Sequence, residues 1–246
     1  MAGGTENVSL WESEQVGTPR FPTSPLSRLL GFTFGLWCFA ARAADTNAVL
    51  NGWLAAQTNC RTWQADFTQT RALRTLVQPL TATGHVWVAM PDRFRWELGS
   101  PAQTIALRQP EQLCVIYPLL KRAERYPLGQ QQAGPWRDAL ALLDASFPRD
   151  RAEVESRFRV SSLTGTNGLW RLGLQPRSAA ARRMITEIVV GLGTNDFALA
   201  NTEMVFADGS RMRNDFTNAV VNAPLPETIF HWQPPADFTV TEPLSP

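Results

Sequence analysis

Histidine and cysteine most often carry nucleophilic or metal chemistry, and this 246-residue chain has few of either. Its two histidines, His85 and His231, lie far apart in the sequence, and neither has a second histidine at a metal-binding spacing. Beyond the first 43 residues the cysteines are Cys60 and Cys114. Two cysteines form no framework, so we expect buried free thiols, with a disulfide as the alternative. Nothing near Cys60 would activate it as a nucleophile.

Carboxylates on the predicted strands are the remaining candidates for acid–base chemistry. They are Asp66, Glu97, Glu124, Glu187 and Glu203. Most fall at outward-facing positions between charged neighbours, so we interpret them as solvated surface groups. Glycine-rich phosphate loops and the Gly-x-Ser-x-Gly motif of hydrolases are absent from the sequence. We therefore expect a protein that is not an enzyme and that binds no cofactor and no metal.

The N-terminal 43 residues have the pattern of a leader with a signal peptide. Arg20 and Arg28 precede an apolar run of 12 residues, Leu29 to Ala40, and the small-x-small sequence Ala41-Arg42-Ala43 follows. The run is shorter than the roughly 20 residues of a membrane helix and fits a signal-peptide core. We expect cleavage near Ala43, export to the periplasm, and a single domain over residues 44–246.

The charge of the exported part is nearly balanced. The 23 basic and 22 acidic residues of the whole chain become 20 and 19 when the three Arg and three Glu of the leader are removed. Nucleic-acid binding requires a concentrated basic face, so this balance argues against nucleic acid as a partner.

Short runs of aromatic and β-branched residues, separated by Pro, Asp, Gly and Gln, predict about eleven antiparallel strands. The predicted strands are 63–69, 80–90, 93–98, 103–108, 113–117, 122–128, 159–163, 169–175, 183–192, 197–206 and 210–221, with a last short strand in the tail. A sheet of this size closes into a barrel or curls toward one. The fold class is therefore mainly β with a few helices (α+β).

Two helical segments carry a single apolar stripe that must be buried. One follows Thr46, a predicted N-cap, and the other begins at Pro135; Asp150 with Glu153 predicts a capping box for a third, shorter helix. Both stripes contain a tryptophan, which suits an α-helical lid over a pocket. The predicted lid residues are Leu50, Trp53, Leu54, Trp136, Leu140, Leu143 and Phe147.

Apolar residues on one face of neighbouring strands predict either a packed core or a ligand cavity. The predicted cavity residues are Phe67, Val86, Val88, Met90, Phe94, Trp96, Ile105 and Leu107. Side chains fill a barrel of about eight strands, and wider ones leave room for a ligand. The sequence therefore favours the binding of a lipid or another apolar molecule.

The chain resembles the periplasmic outer-membrane lipoprotein carrier family, the LolA type. The motifs are Phe67-Thr-Gln, Gly84-x-Val-Trp-Val-x-x-Pro-x-x-Phe-Arg-Trp-Glu, Pro101, the strand Leu113–Tyr117 followed by Pro118, Phe206-Ala-Asp-Gly-Ser, Pro224-Leu-Pro, Phe230-x-Trp-x-Pro-Pro and Phe238-x-Val. The resemblance implies an unclosed antiparallel β-barrel of eleven strands with an α-helical lid. It also implies a monomeric carrier that shuttles lipoprotein acyl chains from the inner to the outer membrane.

The resemblance further implies an inner-membrane ABC transporter as donor and an outer-membrane acceptor. Its aromatic pair maps onto Phe94 and Trp96. The family often has an Arg immediately before the motif's Pro, where it holds the lid closed, and here that position is Met90. Lid closure then rests on apolar contacts, or the cargo differs. The alternatives are a carrier of a glycolipid or other apolar molecule for an export system, and a periplasmic lipoprotein-sensing module.

Overall fold

Segments in which apolar and polar residues alternate form long strands. The structure, a computed structural model, describes residues 45–128 and 145–243. The strands are β1 (Thr62–Ala72), β2 (Leu80–Ala89), β3 (Arg93–Leu98), β4 (Thr104–Gln109), β5 (Gln112–Tyr117), β6 (Arg122–Pro127), β7 (Phe158–Thr166), β8 (Leu169–Pro176), β9 (Ile185–Gly193), β10 (Leu199–Phe206), β11 (Arg211–Val221) and β12 (Thr239–Thr241). The predicted mainly-β class is confirmed.

All twelve strands belong to one open sheet, in the order β12-β6-β5-β4-β3-β2-β1-β11-β10-β9-β8-β7. Neighbouring strands in this order pair antiparallel, and the pairing of β1 with β11 joins the two halves of the chain. The last strand is the exception, because β12 runs parallel to β6 and covers its edge. The predicted unclosed sheet is thus confirmed, with twelve strands where about eleven were expected.

Three α-helices lie wholly within the described part of the chain: α1 (Thr46–Gln57), α2 (Arg151–Arg157) and α3 (Ala179–Arg182). The N-cap of α1 is Asp45, whose side chain accepts from the backbone N–H of Asn47, so the predicted cap at Thr46 is wrong by one residue. For α2 the predicted cap is confirmed, since the Asp150 carboxylate accepts from the backbone N–H of Glu153 at 2.8 Å.

The strand register divides the apolar residues between two faces of the sheet. We call the face that contacts α1 and α2 the inner face; it carries Phe67 of β1, Val86 of β2 and Phe94 of β3, in one buried cluster with Leu50 of α1 and Val154 of α2. A second buried cluster lies on the opposite, outer face, over β2 to β6.

The outer cluster is covered by the segment that follows β11, residues 223–243, which we call the C-terminal strap. Phe230, in a 3₁₀ helix spanning Glu227–Phe230, is its buried anchor. The amide of Gln109 donates to the carbonyl oxygen of Phe230 at 2.9 Å, and the Arg95 guanidinium donates to that of Ile229 at 3.2 Å. The strap thus closes a face that would otherwise expose apolar side chains.

Several predictions fall outside the described residues. They are the leader over residues 1–43 and most of the helix that begins at Pro135, including the predicted lid residues Trp136, Leu140 and Leu143. In the residues that the structure does describe, no helix is both long and apolar enough to cross a membrane.

Candidate functional site

Five aromatic rings meet at the centre of the inner face. Trp63 and Phe67 come from β1, Trp96 from β3 and Phe216 from β11, and Phe147 approaches from the segment before α2. The ring centroids of Phe67 and Trp96 are 4.3 Å apart, those of Trp63 and Phe216 are 5.1 Å apart, and those of Trp63 and Phe147 are 5.2 Å apart. These separations are those of interacting aromatic pairs, so the rings form one continuous apolar surface.

The contact between Phe67 and Trp96 depends on Gly84. Phe67 lies opposite Gly84 in the pairing of β1 with β2, and its ring lies over the glycine. A Cβ at residue 84 would lie 2.3 Å from the Phe67 ring and 2.1 Å from the backbone oxygen of Glu97 on β3. Only glycine at residue 84 allows the Phe67 ring to cross β2 and reach Trp96. This explains why the motif Gly84-x-Val-Trp-Val begins with glycine.

Most predicted cavity residues lie on this surface. Phe67, Val86, Val88 and Phe94 are buried, with at most 6% of each exposed. Met90 and Trp96 are partly buried against them. Their placement on one face matches the expectation from strand alternation, while their role as a ligand cavity stays a prediction.

Ile105 and Leu107 do not lie on the inner face, and their assignment to the cavity is corrected. In the pairing of β3 with β4, Trp96 faces Ala106 and Phe94 faces Arg108, so Ala106 and Arg108 carry the inner face of β4. Ile105 and Leu107 point to the outer cluster beneath the C-terminal strap. Because β4 is apolar on both faces, alternation in the sequence cannot identify its inner one.

Two residues of the aromatic surface, Trp63 and Phe216, were among neither the predicted cavity residues nor the predicted lid residues. Trp63 shares the alternating face of β1 with Phe67, so its spacing of four residues is a signal that the sequence contains. Phe216 lies directly opposite Phe67 in β11. That pairing joins residues far apart in the chain, and no local pattern predicts it.

Helix α1 lies over the same cluster, with Leu50 and Trp53 buried and Leu54 partly buried. Gly52 brings the helix close to the β9–β10 loop, since a Cβ at this residue would lie 2.3 Å from the Phe197 ring. The indole N–H of Trp53 is buried, with no hydrogen-bond partner among the described residues. A buried donor without a partner costs about 1–3 kcal/mol.

A short polar ladder borders the aromatic surface on the inner face. The Gln69 amide donates to the Asn214 side-chain oxygen at 3.0 Å, and the Asn214 amide donates to the Thr202 hydroxyl at 3.3 Å. All three side chains are buried, so these bonds satisfy groups that water cannot reach. They connect β1, β11 and β10 across the inner face.

Two of the carboxylates are not solvated surface groups, contrary to the expectation. Glu203 is 7% exposed on the outer face, and it accepts from Arg171 at 3.0 Å and Arg211 at 2.9 Å. Burial opposes ionisation, but the two guanidinium groups outweigh it and lower the pKa of Glu203. Glu124 lies on the inner face and accepts from the Tyr126 hydroxyl at 2.6 Å.

The groups that could perform chemistry are engaged in structural contacts or are shielded by burial. His85 lies 2.6 Å from the Asp66 carboxylate. Burial raises the pKa of Cys60 and of Cys114, so neither thiol is an activated nucleophile. Both thiols are free, as expected, and they belong to clusters on opposite faces. Over residues 45–128 and 145–243, no three His, Cys, Asp or Glu side chains are grouped to hold a metal ion.

Comparisons with known proteins agree with this arrangement. A family model described as outer membrane lipoprotein carrier protein LolA matches residues 58–233, more than half of the chain. An outer-membrane lipoprotein carrier protein of Methylibium petroleiphilum is 27% identical over 82% of this chain and 93% of its own. One of Coxiella burnetii is 26% identical over 87% of this chain and 95% of its own.

Among solved structures, a LolA superfamily protein from Nitrosomonas europaea superposes with a TM-score of 0.41 at 13% identity, over 77% of this chain and 99% of its own. The match to the family model extends from the end of α1 into the C-terminal strap. The chain belongs to the LolA family of outer membrane lipoprotein carrier proteins.

Proposed function

We propose that this protein is a periplasmic carrier that binds lipoprotein acyl chains on the aromatic inner surface and shuttles them from the inner to the outer membrane. The observation that carries the proposal is the continuous surface of five rings under α1, in a chain of the LolA family. Such a surface binds flexible apolar chains without directional contacts, and it lacks the nucleophile–base pair that an acyl hydrolase requires. We therefore also propose that it is not an enzyme.

The energetics favour a bound state that can be reversed. Burying an acyl chain gains about 0.8 kcal/mol per CH₂, so a chain of about 16 carbons gains more than about 10 kcal/mol before costs. To admit it, α1 must give up burial of Leu50 and Trp53, which together account for several kcal/mol at about 1.5–3 kcal/mol per large side chain. The two terms oppose each other, and cargo can be passed to a stronger acceptor.

The covering elements close through apolar contacts in this proposal. At the position where the family often has an Arg, Met90 is partly buried against the inner cluster. A thioether packs well but accepts hydrogen bonds only weakly. The unsatisfied indole N–H of Trp53 also favours displacement, since it regains a partner when the helix moves into water.

The donor in this proposal is an inner-membrane ABC transporter and the acceptor is an outer-membrane protein. The leader over residues 1–43 would direct export, with cleavage near Ala43, and residues 44–246 would form the single carrier domain, acting as a monomer. Native mass spectrometry of the protein isolated from its own periplasm tests the cargo. A bound lipopeptide is the expected result; a bound glycolipid or free lipid would replace lipoprotein by another apolar cargo.

A binding titration with a synthetic diacylated lipopeptide tests the site itself. Trp96→Ala removes a ring at the centre of the inner surface and should weaken binding about tenfold or more, because at least ~1.4 kcal/mol of apolar contact is lost. Trp87→Ala is the matched control, since Trp87 lies on the outer face of the neighbouring strand, beside His85. Equal losses in the two variants, or no acyl-ligand binding by the unaltered protein, would refute the proposal.

A further inference from the structure

One end of the sheet collects most of the turns that protrude. In an antiparallel sheet alternate turns lie at the same end, which places the turns 73–79, 99–103, 118–121, 177–184 and 207–210 at one end of this sheet. Two hydrogen bonds link three of them: the Arg74 N–H donates to the Ser210 hydroxyl at 3.2 Å, and the Ala207 N–H donates to the Met184 carbonyl oxygen at 2.9 Å. We call this the hairpin end.

Solvent-exposed large apolar side chains are concentrated at the hairpin end. Eight such side chains are exposed in the described part of the chain, and six of them lie here: Leu76, Val77, Leu80, Leu119, Leu120 and Met184. Val77 is 97% exposed, and the adjacent Leu119 and Leu120 are 72% and 69% exposed. Single exposed apolar residues are ordinary, but their concentration at the tips of neighbouring turns is not.

Basic residues flank the same tips. They are Arg71, Arg74, Lys121, Arg122, Arg177, Arg182 and Arg183, and the one acidic residue within these turns is Asp208. Two further carboxylates reach the group, because Lys121 pairs with Asp237 at 2.8 Å and Arg122 with Glu124 at 2.7 Å. The hairpin end therefore keeps a positive excess in a chain whose charge is nearly balanced overall.

We propose that the hairpin end docks on an anionic phospholipid bilayer. Separate apolar tips suit a soft surface that each can enter between headgroups, whereas a protein partner would require a continuous complementary patch. Lys and Arg beside the tips are attracted to an anionic surface, and this attraction acts over about a Debye length. The inference goes beyond the carrier function, because it needs no cargo and concerns a different surface from the inner face.

Vesicle co-sedimentation tests the docking, with the protein isolated from its own periplasm. The expected result is binding to phosphatidylglycerol-containing vesicles that exceeds binding to phosphatidylcholine vesicles and that falls at 0.5 M salt. The double variant Leu119→Ser/Leu120→Ser should lower the vesicle partition coefficient about tenfold, since both side chains lose apolar insertion. Val77→Ser should lower it less, because one shorter side chain is lost.

The double variant Val220→Ser/Val221→Ser is the matched control, because these residues are the two exposed apolar side chains at the opposite end. Its partition coefficient should equal that of the unaltered protein. Absence of binding to anionic vesicles, equal binding to neutral ones, or an equal loss in the control would overturn the proposal. A lipopeptide titration of the same variants separates the two proposals, since tip variants should retain acyl-ligand affinity.

Discussion

Gly84→Ala should damage both the sheet and the aromatic surface. The added Cβ would lie 2.1 Å from the backbone oxygen of Glu97, where ordinary contacts begin near 3.4 Å, so β3 must move away by more than 1 Å. It would also lie 2.3 Å from the Phe67 ring, which must leave its 4.3 Å contact with Trp96. Overpacking costs about 1–3 kcal/mol, and a clash with backbone belongs at the upper end, so we expect a loss of about 3 kcal/mol.

Urea unfolding measures the loss of stability, and the lipopeptide titration measures the loss of binding. Gly209→Ala is the control, because nothing lies within 4 Å of its Cβ position and only its left-handed backbone, with φ of 87°, opposes the change. It should cost about 1–2 kcal/mol and leave acyl-ligand affinity unchanged. If Gly84→Ala costs no more than Gly209→Ala, the close approach of Phe67 and Glu97 to Gly84 is not real and the reasoning fails.

Three further changes probe the helix, the outer face and the buried carboxylate. Trp53→Ala should lower the free energy of unfolding in urea by about 3–5 kcal/mol, whereas Trp53→Phe should cost under about 1.5 kcal/mol, because it also removes the unsatisfied N–H. Leu107→Ala should cost about 2–5 kcal/mol without changing lipopeptide affinity; a tenfold weaker affinity would contradict its placement on the outer face. Glu203→Gln should lower stability at pH 7 by about 1–2 kcal/mol. Since the folded-state pKa of Glu203 is lowered from its ordinary value of 4.5, its contribution is present above that value and is lost as the pH falls through the lowered folded-state pKa, so the unfolding curves of variant and unaltered protein should converge on acidification.

Local patterns were enough to predict most strands. The bounds of β3, Arg93–Leu98, were predicted to the residue, because Pro91-Asp92 and Gly99 mark its two ends. The cap at Asp150 was equally local, since its partner Glu153 is three residues away. The parallel pairing of β12 with β6 was not predicted, because it joins segments more than 100 residues apart and depends on how the strap crosses the outer face.

The candidate site was predictable only where one face of a strand is clearly apolar. Val86 and Val88 on β2 alternate with neighbours that belong outside, and both lie on the inner face. Ile105 and Leu107 flank Ala106, so size alone suggested the wrong face, and the register with Trp96 decides it. Glu203 resembled a surface residue because it shares one face of its strand with Asn201, yet two arginines from other strands enclose it.

The C-terminal strap gives the two halves of the sheet different mechanical properties. Strands β2 to β6 carry buried apolar clusters on both faces, whereas β8 to β11 present ion pairs such as Arg213 with Asp215 on the outer one. Bending the first half would separate packed apolar side chains on either face, whereas the second half has packed apolar side chains on its inner face and ion pairs on its outer face. The strapped half is therefore the stiffer half of the sheet, and in the proposed carrier the volume for an acyl chain would come from movement of the other half and of α1.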